Sequence, residues 1–182
     1  MTYAQYLEAE SAGSVRHEYL RGRVFAMAGG TPEHAALAMA FAIQLGAALR
    51  GRPCRVFGSD LRVRIDATDL STYPDVVVVC GQFERSTVDP DALINPVLIV
   101  EVLSDGTEAY DRGEKFAHYR RLASLREYVL ISQRRPHVEL YRRNAAGHWV
   151  LFEAGAGEQI ELESLSNLRI SVDEIYRNPL AS

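Results

Sequence analysis

Apolar positions along the chain come in blocks, and the spacing within each block predicts an element. Residues 1–14 have the composition of a short helix. Residues 17–27 alternate apolar and polar around Arg21 and Gly22, the pattern of a hairpin. Thr31, Pro32 and Glu33 then supply a cap, a proline for the first helical position and a first-turn acid. The helix they open runs to about residue 49 and is apolar almost all round. Such a helix is expected to be covered on more than one side, by a second layer of the chain or by a second subunit.

Short apolar runs follow. Residues 55–65 alternate and predict a strand pair or one long bent strand. Residues 75–80 and 97–103 are Val- and Leu-rich runs of the kind found in the centre of a sheet. Asp111 to Glu114 has the spacing of a capping box, predicting a helix from there to about residue 123. Residues 127–132 predict another buried strand, and 138–152 and 159–162 predict antiparallel additions. A short helix is expected over 172–176. No repeat or linker divides the sequence, so residues 1–182 are expected to form one domain. Its class is α/β, a mixed sheet flanked by helices.

Composition narrows this further. With 182 residues, 47% hydrophobic and 24% charged, the chain can bury a core, and disorder is excluded as its main state. The apolar stretch at 35–49 is too short to span a bilayer, and the amino terminus lacks the pattern of a secretory signal. Cys54 and Cys80 lack CxxC spacing and are expected as buried free thiols in a reducing compartment, hence a cytoplasmic location. The net charge is −4, which argues weakly against a protein whose whole surface grips nucleic acid. The charge is segregated: residues 112–143 carry nine basic against three acidic side chains, and residues 153–174 six acidic against one basic.

Two acids stand in unfavourable places. Asp75 opens a run of four valines, and Glu101 is flanked by residues 97–100 (VLIV) and by Val102 and Leu103. An uncompensated carboxylate there costs several kcal/mol. Strand parity puts Glu101 on one face with Val97, Ile99 and Leu103. The third candidate comes from counting: of 20 Lys and Arg residues, Lys115 is the only lysine. Lysine, unlike arginine, can be tuned by burial toward proton transfer. On a helical wheel Lys115 falls in the apolar arc of Phe116, Tyr119, Leu122 and Ala123, with Glu114, His118 and Arg121 outward. Two carboxylates and one ammonium on a buried face suit a hard dication such as Mg2+ that also contacts a substrate phosphate.

Pro74-Asp75, Glu101-Val102-Leu103 and a following helix bearing Lys115 resemble the PD-(D/E)XK nuclease superfamily. More closely, residues 16–22 (RHEYLRG), 73–76 (YPDV), 95–104 (NPVLIVEVLS), 110–119 (YDRGEKFAHY) and 127–128 (EY) resemble the Uma family of restriction endonucleases, the one numbered two. The resemblance implies a restriction-endonuclease-like core with additional antiparallel carboxy-terminal strands, and Mg2+-dependent hydrolysis of DNA phosphodiesters, with Mn2+ able to substitute. Asp75, Glu101 and the Val102 carbonyl would hold the metal. Leu103 stands where the superfamily places its lysine, and Lys115 would take over from the next helix. Glu18 is carried over as a further catalytic position and His34 as a substrate contact, and Arg112 is a further candidate substrate contact. The alternative is a nuclease fold that binds nucleic acid or a partner without turnover. A homodimer is expected from the apolar helix.

Overall fold

The computed structural model describes residues 1–27 and 29–177. Helix α1 (Tyr3–Ala12) opens with a capping box in which Thr2 and Gln5 satisfy each other's backbone N–H groups. Strands β1 (His17–Leu20) and β2 (Arg23–Ala26) form the expected hairpin. Its two-residue turn puts both Arg21 and Gly22 at positive φ (49° and 85°), the geometry that matches strand twist. Helix α2 (Pro32–Ala48) starts at the expected Thr31 cap. The alternating segment that follows is two strands, β3 (Cys54–Gly58) and β4 (Arg62–Ile65). They are succeeded by β5 (Leu70–Thr72), β6 (Val76–Cys80), β7 (Ala92–Leu93) and β8 (Leu98–Leu103).

The helix predicted from residue 111 starts earlier. Helix α3 (Glu108–Tyr110) runs into a π-helical turn (Asp111–Lys115) and on into α4 (Phe116–Tyr119). Asp111 is therefore inside the helix and does not cap it. The extra residue of a π turn also shifts the wheel, so His118, expected outward, is buried. Strands β9 (Glu127–Ser132), β10 (His137–Arg143), β11 (Trp149–Gly155), β12 (Gln159–Leu162) and β13 (Leu168–Ser171) follow, and α5 (Val172–Tyr176) ends the described chain.

Three sheets result. The central one has the order β11-β10-β9-β8-β6-β3, antiparallel except for the β8–β9 pair, whose parallel crossover is the α3–α4 segment. A smaller sheet, β2-β1-β5-β4-β7, and the hairpin β12-β13 complete the fold. One face of the central sheet packs Val78, Val100 and Val129 against Leu37, Phe41 and Leu45 of α2 and Ile175 of α5. The other packs Val77, Ile99 and Leu130 against Val63 and Leu70 of the smaller sheet and Phe116 and Tyr119 of the crossover. Val97, expected on the Glu101 face, precedes β8 and packs on the α2 side. Helix α2 is covered on that single side: Met39 and Ile43 are about 60% exposed.

The cysteines differ from expectation. Cys54 and Cys80 are directly opposite in the antiparallel β3–β6 pair and form a disulfide. Nothing in the spacing of the two residues reports strand register, which is what makes them neighbours. The inference of a reducing compartment from free thiols loses its ground. Among the described residues no helix is long and apolar enough to cross a membrane.

Candidate active site

Register explains why the two isolated acids meet. In the antiparallel β6–β8 pair Val76 lies opposite Val100 and Val77 opposite Ile99. One step beyond the strand start therefore places Asp75 opposite Glu101. Its backbone N–H points at Glu101 Oε2, 3.4 Å away, and its own Oδ2 accepts the Val102 N–H at 2.8 Å. Glu101 shares its face with Ile99 and Leu103, as strand parity predicts, and is 4% exposed.

The π turn supplies the other side. It turns Asp111 and Lys115 inward together, with Oδ1 and Nζ 3.5 Å apart, and buries both. Lys115 Nζ reaches Glu101 Oε1 at 2.9 Å and Glu18 Oε1 at 3.3 Å. Glu18 comes from β1 and accepts the Thr72 hydroxyl at the end of β5. Tyr119, one turn after Lys115, donates its hydroxyl to Glu101 Oε1 at 2.6 Å. On the α2 side, His34 Nε2 lies 3.2 Å from Asp75 Oδ2. Gly30 makes room for that ring, since a Cβ there would lie 2.8 Å from His34 Nδ1.

Glu18, His34, Asp75, Glu101, Asp111 and Lys115 line a cleft of about 950 Å³ that extends to Met27 and Met39. Four carboxylates (Glu18, Asp75, Glu101, Asp111) face one ammonium and one imidazole. Burial pushes the Glu101 carboxyl up to about 8, with Lys115 pulling it back and Asp75 and Asp111 adding to the rise. Burial alone pulls the Lys115 ammonium down, but Glu101, Glu18 and Asp111 together hold it well above the usual lysine value. Each close pair contributes about 5 kcal/mol at an effective dielectric of about 20, against a desolvation cost of several kcal/mol per ion. Lys115 is therefore a fixed cation, not the proton acceptor that a depressed pKa would have made it. Asp75 holds the His34 imidazole above its ordinary value, and a backbone hydrogen bond with Val102 adds to this.

Arg112, expected as a substrate contact, is not brought to the cleft with the others. Its guanidinium is held by Glu139 and Glu108. Sequence reasoning missed Asp111, which it read as a cap, and Tyr119, which it read only as core. The spacing of Asp111 and Lys115, four residues apart on one helix, was the available signal.

The donor chemistry fits a hard dication. Asp75 and Glu101 present carboxylate oxygens side by side, the Val102 backbone adjoins them, and Mg2+ needs only one or two carboxylates besides water. Among the described residues no three His, Cys, Asp or Glu side chains form a complete metal cage, so a bound ion would rely on the backbone, water and substrate as well.

The fold is a mixed central sheet flanked by helices, with two acids meeting where adjacent strands start and end. A crystal structure from Anabaena variabilis ATCC 29413, described as a putative nuclease belonging to DUF820, is similar with a TM-score of 0.71, covering 88% of this chain and 89% of that one at 20% identity. The family model Uma2, described as "Putative restriction endonuclease", matches residues 3–173, and the chain belongs to that family. Two uncharacterized proteins of Synechocystis sp. (strain ATCC 27184 / PCC 6803 / Kazusa) are similar over most of the chain. One, slr1290, is 36% identical over 95% of this chain and 90% of its own length. The other, sll1609, is 32% identical over 90% and 92%.

Proposed function

We propose that the protein is a divalent-metal-dependent endonuclease that hydrolyses DNA phosphodiester bonds, using Mg2+, with Mn2+ able to substitute. The observation that carries this reading is the convergence of Asp75, Glu101 and Lys115 in one cleft. Membership of a family described as "Putative restriction endonuclease" supports it. Asp75, Glu101 and the Val102 carbonyl would hold the ion. When bound, a dication polarises a phosphoryl oxygen and lowers the pKa of a coordinated water. Lys115, kept protonated by its three carboxylates, would place positive charge beside the phosphoryl oxygens on which negative charge develops. Glu18 and Asp111 hold that ammonium in place. His34 Nε2–H is donated to Asp75 and orients that carboxylate, and the positive charge of the imidazolium at the cleft wall would attract a substrate phosphate.

The direct test is plasmid cleavage in Mg2+ by the wild type beside Asp75→Ala and Glu101→Ala. Loss of cleavage in both variants is expected. Equal cleavage by all three would assign the activity to a contaminant and overturn the reading.

A second reading is a nuclease fold that binds nucleic acid without turnover. Leu103, standing where the superfamily pattern has lysine, favours it. Mn2+ titration by calorimetry separates the two, because the inactive reading expects no site that Glu101→Gln weakens. A cytoplasmic location accords with a DNA substrate and is part of this proposal. So is a homodimer, supported by the exposed Met39 and Ile43 on α2.

A further inference from the structure

The two oxygens of Glu101 are not equivalent. Oε1 receives the Tyr119 hydroxyl at 2.6 Å and the Lys115 ammonium at 2.9 Å. Among the described residues Oε2 has only the long 3.4 Å approach of the Asp75 N–H. Asp75 shows the same division: Oδ2 takes the Val102 N–H and His34 Nε2, while among the described residues Oδ1 accepts no hydrogen bond. A glutamate carboxylate can swap its oxygens by rotation about the Cγ–Cδ bond. What prevents the swap at Glu101 is a pair of donors aimed at one oxygen from a fixed direction.

Of that pair, Lys115 is on a long flexible stem and is shared among three carboxylates. Tyr119 has a single hydroxyl proton, and it is donated to Glu101. Its ring is 0% exposed and packs against Tyr128 with centroids 5.3 Å apart, so its hydroxyl has one place to be. Resting on the metal-dependent reading above, we propose that Tyr119 is a positioning residue for metal capture: its hydroxyl locks Glu101 with Oε1 turned to Lys115, so that Oε2 is the oxygen offered beside Asp75 to the dication.

Partners that orient a metal ligand typically contribute about 10- to 100-fold to metal affinity. Tyr119→Phe keeps the ring and removes only the hydroxyl. The experiment is Mn2+ binding by calorimetry on the whole chain, together with the rise in melting temperature that Mn2+ produces, for wild type, Glu101→Gln, Tyr119→Phe and Tyr176→Phe. Tyr176 donates its hydroxyl to the Ser132 and His137 carbonyls and so controls for losing a tyrosine hydrogen bond of purely structural kind. Tyr119→Phe is expected to bind Mn2+ about tenfold more weakly, and about tenfold more Mn2+ should restore its thermal stabilisation to the wild-type value. Tyr176→Phe should lower the metal-free melting temperature and leave the Mn2+-induced rise unchanged. Wild-type affinity in Tyr119→Phe, or equal weakening in Tyr176→Phe, overturns this proposal and leaves the metal-dependent reading standing. No Mn2+ site in the wild type, or one that Glu101→Gln does not weaken, overturns both.

Discussion

Lys115 Nζ lies 2.9 Å from Glu101 Oε1, and both side chains are buried. Neither would be tolerable there alone. Two further carboxylates, Glu18 and Asp111, contact the same ammonium, so the lysine holds together a cluster with more negative than positive charge.

Removing that cation should be costly. Lys115→Met leaves buried carboxylates without their counter-charge and is expected to destabilise the fold by about 3–5 kcal/mol. Urea unfolding measures this, and loss of cleavage should accompany it. Lys115→Arg should not restore cleavage, because a planar guanidinium cannot occupy the same point among three carboxylates. A Lys115→Met variant as stable as wild type would mean that the cluster does not depend on the ammonium.

Stability should fall as pH rises through neutrality when no divalent metal is present. Glu101 has its folded pKa raised to about 8 from an ordinary 4.5. Its contribution is fully present below the unfolded value and is lost as pH climbs through about 8. The raised His34 works in the same direction. Melting temperature measured from pH 5.5 to 9 in chelator should therefore decline, and Glu101→Gln should flatten the decline. Mg2+ should restore the wild type at alkaline pH but not Glu101→Gln. A rise in wild-type stability over this range would contradict the assigned environment of Glu101.

The disulfide makes a separate prediction. Cys54 and Cys80 are 26 residues apart in sequence, and closing a loop of that size contributes about 3.5 kcal/mol. Reduction should lower the melting temperature by several degrees, as should Cys54→Ser with Cys80→Ser. Thiol titration of the unreduced, denatured protein should find no free thiol; two would show that the cysteines are unpaired in solution.

Helix α2 carries the last prediction. Met39 and Ile43 lie one turn apart and are both exposed, on a helix with no charged residue between Glu33 and its end. If a second copy covers this face, Ile43→Glu should convert a dimer to a monomer in light scattering, with the melting temperature little changed at high concentration. A wild type that is monomeric at all concentrations removes the dimer.

Much of this site was legible before the fold. Asp75 and Glu101 are visible because a carboxylate amid Val and Leu is expensive wherever the strand ends up. Lys115 stood out as the single lysine, and its place on the inner arc survived the π turn that the wheel did not anticipate. Asp111 was hidden by that turn: its spacing to Glu114 satisfies a cap pattern, and only the earlier start of the helix makes it a buried acid. Arg112 shows the converse. Its surroundings depend on Glu139, which comes from β10, and no local pattern reports which strand will lie under a helix.

The sequence by itself determined the helices, most of the strands and the identity of the charges that must be compensated, because periodicity and the cost of burying charge are local properties of each segment. Only the tertiary structure decided which charges meet. Register sets Asp75 opposite Glu101 and Cys54 opposite Cys80, and the crossover between β8 and β9 brings Lys115 and Tyr119 to Glu101. Those pairings come from packing segments distant along the chain, and the free energy that selects them belongs to no single segment.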